Sequence, residues 1–311
     1  MVPALFLTGA ILFATLQEIQ DAGKGLELCI EKPTLPIAAG LGSSAAVSVA
    51  TTTALLSACT ASRIREYQEE LQLSAVPHAH FSGDPEGIVA RPQHMFEELI
   101  NTWALSAETL FHGSPSGLDN TVATYGGALL YRKGQSPAFT QIEGMPSLNV
   151  LVTNTKQPKS TSKLVQGVKE LRDKKPELVD AYMRTIGSIT ELVEVFVRTE
   201  LGSENALKSE TEYKRIRSEL ESVLGPLLQS AHRILTALGV GHSALDRVCE
   251  ESSKIGAWTK LTGAGGGGCA LTLLPTDLET SRLNEMIASL SEESMECFQT
   301  CLGGFGALID K

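Results

Sequence analysis

The stretch that constrains the fold most reads Pro36-Ile-Ala-Ala-Gly-Leu-Gly-Ser-Ser-Ala-Ala-Val-Ser-Val-Ala50. Gly40 and Gly42 predict a turn in which the backbone can pass close to a ligand, and two serines follow that turn at once. The small and mostly apolar residues from Ala45 to Ala58 then predict a helix. A glycine turn at a helix N-terminus presents free N–H groups and partial positive charge, so this stretch favours an anion such as phosphate.

The two serines are compatible with two roles. Ser43 or Ser44 can be the N-cap of the predicted helix, or a hydroxyl ligand to a magnesium ion carried by the phosphates. The residues alone leave both alternatives open. The stretch is not a Walker A loop, because no Gly-Lys-Ser/Thr follows, and it lacks the G-x-G-x-x-G spacing of a dinucleotide-binding turn.

A second loop rich in turn-forming residues reads His112-Gly-Ser-Pro-Ser-Gly-Leu-Asp-Asn120. It follows a helical pattern from Met95 to Phe111, with Glu108 near the end of that pattern. Asp119 stands at the start of the next element, where a carboxylate can either cap a helix or accept a proton in catalysis. The composition of the loop favours neither role over the other.

The third run reads Lys260-Leu-Thr-Gly-Ala-Gly-Gly-Gly-Gly268 and places five glycines in six residues between two apolar, strand-like segments. So many glycines cost backbone entropy, and a hairpin turn needs only one or two of them. Flexible linkers are not usually flanked by buried strands. The run therefore favours a functional loop whose backbone passes close to a bound group.

Length and composition limit the classes of protein to which the chain can belong. Its 311 residues suffice for two domains, and 42% hydrophobic with 20% charged residues is typical of a soluble globular protein. A net charge of −10 disfavours nucleic acid as a partner. The apolar segment 1–16 is too short to predict a membrane span. None of the six cysteines forms a C-x-x-C pair, which disfavours a zinc site.

The pattern after residue 145 predicts a layered α+β domain with one helical face. It begins with a buried strand at Leu148–Asn154. Three long helical segments follow, and Gly225-Pro226 in the last of them predicts a kink or a split. A helix capped by Ser243, a strand pair around the third glycine run, a further helix and two closing strands complete the domain.

The three runs together resemble the motifs of the GHMP kinase superfamily, and within it those of the mevalonate kinase family. Gly40–Ala45 matches the glycine/serine motif, and Lys260–Gly268 matches the C-terminal glycine motif. The run His112–Asn120 and the run Leu238-Gly-Val-Gly-His242 select mevalonate kinases among the relatives. The resemblance implies an α+β, two-domain fold. Residues 1–145 would form the N-terminal, ATP-binding domain, and residues 146–311 a C-terminal domain with a ferredoxin-like α/β layer and extra helices.

The resemblance also implies an activity, namely transfer of the γ-phosphoryl group of ATP to the 5-hydroxyl of (R)-mevalonate in isoprenoid and sterol biosynthesis. Asp119 matches the residue that accepts the hydroxyl proton, while Ser44 and Glu108 match the ligands of Mg²⁺. The positions implied to bind ATP are Ala38, Ala39, Gly40, Leu41, Gly42, Ser43, Ser44, Gly263, Ala264, Gly265 and Gly266. A homodimer in the cytoplasm, or in the peroxisome, without nucleic acid or membrane as partner, is also implied.

One departure from the family pattern concerns the N-terminal domain. The family carries a Pro-Gly-Lys…Gly-Glu-His motif upstream of the first glycine loop, and this motif supplies a catalytic lysine. No such run stands in the sequence. We therefore expect an N-terminally truncated domain that lacks its first strands, with weakened activity. The alternative is a non-catalytic form of mevalonate kinase that binds nucleotide or pairs with an intact subunit.

Overall fold

The structure is a computed structural model, which describes residues 29, 41–58, 89–90, 94–112, 115–132, 139–142, 145–201, 210–304, 306–307 and 309–310. Contacts divide the chain into two compact units. The first includes residues 42–141 and 305–311, and the second includes residues 37–41 and 142–304. The domain boundary expected between residues 145 and 146 stays a prediction.

Helices and strands alternate along the described residues, which confirms the mixed α+β class. In chain order the elements are α1 (Ser43–Ala58), β1 (Val89–Ala90), α2 (His94–His112), α3 (Leu118–Tyr125), β2 (Ala128–Tyr131), β3 (Phe139–Ile142), β4 (Leu148–Asn154), α4 (Thr161–Lys174), α5 (Pro176–Leu201), α6 (Glu210–Leu235), a π-helical turn (Thr236–Val240), α7 (Ser243–Lys254), β5 (Trp258–Leu261), β6 (Cys269–Leu273), α8 (Thr280–Glu292), β7 (Glu296–Leu302) and β8 (Ile309–Asp310).

The first unit is built on the contact between α1 and α2. Val49 and Leu56 of α1 pack against Ile100 and Ala104 of α2, and all four side chains are buried. Val49 and Leu56 are seven positions apart and share a face of α1, whereas Val47 is exposed on another face. Burial of one Leu or Ile side chain contributes about 1.5–3 kcal/mol. This packing therefore fixes the helix that follows the first glycine turn. Two short sheets accompany it, in which β1 pairs with β8 and β2 with β3.

The second unit contains a four-stranded antiparallel sheet in the order β5-β6-β4-β7. Numbered within this unit, the strands lie in the order second, third, first, fourth. This is the order of a ferredoxin-like layer, so the predicted architecture of the C-terminal part is confirmed. The first strand of the unit, β4, is central and coincides with the predicted strand.

Helices cover both faces of this sheet, and not one face as the sequence pattern predicted. On one face, Leu151 of β4 packs in a cluster with Leu245 of α7 and Leu290 of α8. On the other face, Val150 packs with Val197 of α5 and Leu220 of α6. Successive residues of a strand point to opposite faces. The continuous apolar run 150–152 of β4 is therefore explained by burial on both sides.

The predicted split at Gly225-Pro226 does not occur, because α6 continues through both residues with Pro226 inside the helix, and the kink stays a prediction. A Cβ atom on Gly225 would collide with the indole ring of Trp258 in β5. The glycine therefore allows the ring of Trp258 to lie against the helix. The regular helix instead ends at Leu235, and Gly239 then turns the chain with a φ of 86°.

Capping of α7 also differs from the prediction that Ser243 would cap it. His242 is the N-cap residue, and its Nδ1 accepts a hydrogen bond from the Ala244 N–H at 3.1 Å. An imidazole nitrogen thus replaces the usual hydroxyl oxygen at this position. Within the described ranges, no helix combines the length and apolar character needed to cross a membrane.

Candidate functional site

The first glycine turn leads directly into α1. Gly42 has a φ of 68°, in the left-handed region that favours glycine, and its carbonyl accepts the Ala46 N–H at 3.0 Å. The helix begins at Ser43, two residues earlier than predicted. Its first N–H groups have no partner within the helix and can donate to an anion. Ala38, Ala39 and Gly40 lie outside the described residues.

Ser44 contacts the carboxylate of Glu108, the other residue predicted to bind Mg²⁺. The Ser44 hydroxyl donates to Glu108 Oε1 at 2.6 Å, and the Ser48 hydroxyl donates to the same oxygen at 3.0 Å. Glu108 lies in α2, more than sixty positions from Ser44 in the chain, and is only 6% exposed. Ser44 lies inside α1, which excludes the N-cap role for it, and its role as a metal ligand stays a prediction.

Asp119 lies beside the first glycine turn. A Cβ added to Gly42 would be 3.4 Å from Asp119 Cβ and 3.6 Å from Asp119 Oδ2. The carboxylate therefore lies close to the side of Gly42 that carries no side chain. The residue is exposed and lies inside the first turn of α3. Gly117 occupies the N-cap position, and the Leu118 N–H at the start of the helix donates to the Ser116 hydroxyl at 3.3 Å. The capping alternative for Asp119 is therefore wrong, and its catalytic role stays a prediction.

The neighbour of Asp119 orients it, a role that sequence reasoning missed. Asn120 is buried, and its amide donates to the Asn101 side chain at 2.5 Å and to the Asn101 carbonyl at 3.3 Å. Thr121 donates to the Gly117 carbonyl at 2.5 Å. These bonds fix the start of α3 against α2 and leave the Asp119 carboxylate free to point elsewhere. Two asparagines nineteen positions apart give no local sequence signal of this contact.

The second glycine loop joins β5 to β6 in the second unit. Gly263, Gly265, Gly266, Gly267 and Gly268 all have positive φ values, from 59° to 117°. The Gly266 N–H donates to the Val240 carbonyl at 2.8 Å. At the base of the loop, the Thr262 N–H donates to the Cys269 carbonyl at 3.1 Å. A flexible linker is thereby excluded, because the loop closes a hairpin of paired strands.

Close neighbours explain why side chains are missing from this loop. A Cβ at Gly265 would collide with the Val240 carbonyl, and one at Gly266 would lie 2.7 Å from Leu164 Cδ1. One at Gly267 would lie 2.8 Å from Gln157 Cβ. Ala264, which the sequence also named, is half-buried between these glycines. The left-handed backbone arranges successive N–H groups in a way that is typical of anion-binding concavities.

Lys159 is a candidate phosphate ligand that the sequence reasoning missed. Its Nζ lies 2.8 Å from the Cβ position of Gly268 and 3.7 Å from that of Gly263, so its ammonium group lies against the loop. Burial raises the pKa of the nearby Cys269 thiol, and the charge of Lys159 opposes this shift. The available signal was a polar run with two lysines, Lys156 and Lys159, directly after the central strand β4.

The remaining predicted site residue, Leu41, belongs to the second unit. It packs, partly buried, against Val152 and Cys269. The structure thus brings Gly42, Ser44, Glu108 and Asp119 together in the first unit. It places the glycine loop with Lys159 in the second unit.

Two family models match parts of the chain. Residues 7–90 match the GHMP kinases N terminal domain, and residues 216–296 match the family described as GHMP kinases C terminal. Mevalonate kinase of Bos taurus is 35% identical over 96% of this chain and 67% of its own length. The chain belongs to the mevalonate kinase family.

Other mevalonate kinases give the same result over less of their length. The Homo sapiens protein is 38% identical over 88% of this chain and 61% of its own length. The Mus musculus protein is 37% identical, with the same two coverages. The chain therefore spans about three fifths of the length of these two relatives. The mevalonate kinase of L. major, solved in complex with R-mevalonate, shares the fold, with a TM-score of 0.53 at 23% identity over 86% of this chain and 67% of that one.

Proposed function

We propose that the chain catalyses ATP-dependent phosphorylation of the 5-hydroxyl of (R)-mevalonate to 5-phosphomevalonate, a step of isoprenoid and sterol biosynthesis. The observation that carries the proposal is the grouping of the Ser44–Glu108 oxygen pair with the exposed Asp119 carboxylate at one glycine turn. The L. major relative with bound R-mevalonate supports the choice of acceptor. No observation on the described residues favours the non-catalytic alternative.

Each of the two units supplies donors that fit a phosphate group of ATP. In the first unit these are the N–H groups at the start of α1, where the helix dipole adds partial positive charge. In the second unit they are the N–H groups of Gly263–Gly268 and the Lys159 ammonium. Phosphoryl transfer depends mainly on positioning and on neutralisation of charge. Backbone donors held by packed neighbours supply both without the entropy cost of ordering long side chains.

The Ser44 and Glu108 oxygens fit a magnesium ion. Magnesium prefers oxygen ligands and usually takes one or two from protein carboxylates, with phosphate oxygens and water for the rest. One hydroxyl and one carboxylate, 2.6 Å apart next to an anion-binding helix start, form such a partial set. When bound there, the ion would neutralise charge on the transferring phosphoryl group.

Asp119 is the residue proposed to act on the acceptor. Its carboxylate accepts the proton of the mevalonate 5-hydroxyl as the oxygen of that hydroxyl bonds to the γ-phosphorus of ATP. The bond between the γ-phosphorus and the bridging oxygen breaks, and ADP leaves. General base catalysis of this kind contributes typically about 10²–10⁴-fold to the rate.

The setting of the reaction is proposed from the family. We expect a homodimer in the cytoplasm or peroxisome, with neither nucleic acid nor membrane as partner. Light scattering of the purified chain at several concentrations measures the oligomer, and a stable monomer at all of them would contradict the dimer.

The test of the activity is ADP release by the purified chain with Mg·ATP and a panel of acceptors. The panel contains mevalonate, phosphomevalonate, homoserine and galactose. We expect release with mevalonate alone, and phosphorus NMR should show a new phosphate monoester at the 5-position. ADP release with an acceptor other than mevalonate, or no release with any of the four, contradicts the proposal.

A further inference from the structure

A buried histidine lies beneath the second glycine loop and has no part in the proposed chemistry. His232, in α6, is 5% exposed, and its Nδ1 accepts the Leu261 N–H at 3.1 Å. Leu261 is the last residue of β5, two positions before Gly263. A backbone N–H can only donate, so Nδ1 carries no proton. The ring proton is therefore on Nε2, which faces Cys249 Sγ at 3.3 Å.

The same segment of chain contacts the loop a second time. Val240, at the end of the π-helical turn after α6, accepts the Gly266 N–H at 2.8 Å. His232 thus holds the strand that enters the loop, while Val240 holds the turn itself. Loss of the His232 contact would leave the entry strand with an unpaired buried N–H group at Leu261, which is 1% exposed.

The surroundings of His232 favour its neutral form. Asp246 of α7 is 3.9 Å from Nε2, and the other charged or titratable groups facing the ring are Lys260 of β5, Arg233 of α6 and Cys249 of α7. Burial lowers the pKa of His232, Asp246 opposes this shift, and Lys260 and Arg233 add to it. Burial also raises the pKa of the Cys249 thiol to about 11, so the thiol stays neutral.

We propose that His232 is a positioning residue whose neutral ring holds β5 and the glycine loop in their phosphate-binding geometry, and whose protonation releases the Leu261 N–H. A protonated Nδ1 would face the N–H of Leu261 donor to donor. The consequence for nucleotide binding rests on the function proposed above.

The sign of the pH dependence follows from the direction of the shift. Because the pKa of His232 is lower in the folded chain than the ordinary histidine value of about 6.5, the unfolded chain binds more protons below that pH. The stabilisation by the neutral ring is therefore complete above about pH 6.5 and falls as the pH drops below it.

Two substitutions at this position separate the hydrogen bond from packing. His232→Leu replaces the imidazole ring with an apolar side chain of similar volume and so removes the hydrogen-bond acceptor. His232→Asn places an amide oxygen near the position of Nδ1 and cannot be protonated. Leu283→Ala, in the α8 core, is the control for a general loss of stability. Amide hydrogen exchange at Leu261 and Gly266, corrected for intrinsic rates, and the Kd for Mg·ATP are measured at pH 7.5 and 5.8.

We expect His232→Leu to raise exchange at Leu261 and weaken Mg·ATP binding by about fivefold, as one lost hydrogen bond predicts. His232→Asn should keep the Leu261 exchange rate and the Kd for Mg·ATP of the unsubstituted chain at pH 7.5. At pH 5.8 neither should change in this variant, whereas Leu261 exchange rises and Mg·ATP binding weakens in the unsubstituted chain. The proposal is overturned if amide exchange at Leu261 is unchanged in His232→Leu. It is also overturned if the Asn and Leu variants raise this exchange and weaken Mg·ATP binding equally. If the unsubstituted chain binds no Mg·ATP, the proposed function fails, and the exchange rates still decide the role of His232.

Discussion

The turn at Gly42 leads into a helix and is surrounded by functional side chains, whereas the loop Gly263–Gly268 joins two strands and consists almost wholly of backbone. At the first turn, Ser44, Glu108 and Asp119 supply oxygens, and Gly42 leaves room for Asp119. At the second, neighbouring atoms already fill the space of each missing Cβ at four successive glycines.

The difference shows two ways to align backbone N–H groups. A helix start provides aligned N–H groups at once, so its side chains remain available for metal and proton transfer. A hairpin provides aligned N–H groups only when glycines allow positive φ values, so the chemistry of this loop depends on the absence of side chains. Substitutions at the first turn should thus impair catalysis, and substitutions in the second loop should impair folding or binding.

The largest effect is expected from Asp119→Asn, which removes the proton acceptor but keeps the shape of the side chain. The kcat for mevalonate should fall about a thousandfold, because general base catalysis of this size is lost. Asp173→Asn, at an exposed position of α4, is the matched control and should leave kcat unchanged. A kcat within about tenfold of the unsubstituted value would show that Asp119 is not the base.

Gly265→Ala should lower the free energy of unfolding by about 2 kcal/mol or more. Alanine at a φ of 78° costs about 1–2 kcal/mol, and its Cβ also collides with the Val240 carbonyl. Gly256→Ala isolates the cost of placing alanine at a positive φ value, since φ there is 75° and no atom lies within 4 Å of the added Cβ. Chemical denaturation measures both variants. Equal losses would mean that the packing against Val240 can relax.

Lys159→Met should raise the Kd for Mg·ATP about tenfold, because a charge-assisted contact to phosphate contributes about 1.5–3 kcal/mol. Lys156→Met is the control in the same segment. Its side chain pairs with Glu296 at 2.7 Å and is half exposed, so its loss should change little. Isothermal titration calorimetry distinguishes the two. Equal effects of both variants would indicate general electrostatic attraction and not a specific ligand.

The smallest effect is expected from Ser44→Ala compared with Ser48→Ala. Each variant removes one hydroxyl donor to Glu108 Oε1, so each should cost about 1 kcal/mol of stability. Only Ser44→Ala should also raise the magnesium concentration needed for half-maximal activity, by a few fold. A matching increase in Ser48→Ala would mean that the serines act through Glu108 and that Ser44 is not itself a ligand.

The sequence by itself determined the elements and the chemical character of the loops. The strand Leu148–Asn154 was predicted to the residue, and the helix around Glu108 within one residue at each end. Both depend on local hydrophobic periodicity, which each segment carries alone. Glycine density likewise marked Gly263–Gly268 as a special backbone, since the conformational preference of glycine is a property of the residue itself.

Only the tertiary structure decided which residues meet. The contacts of Lys159 with Gly268, of Gly225 with Trp258 and of His232 with Leu261 join positions that are far apart in the chain. It also excluded the capping role of Asp119, because Gly117 is the N-cap residue of α3. Local patterns report propensity and burial, whereas these contacts depend on how packed elements place distant side chains next to one another. No periodicity within a single segment records that placement.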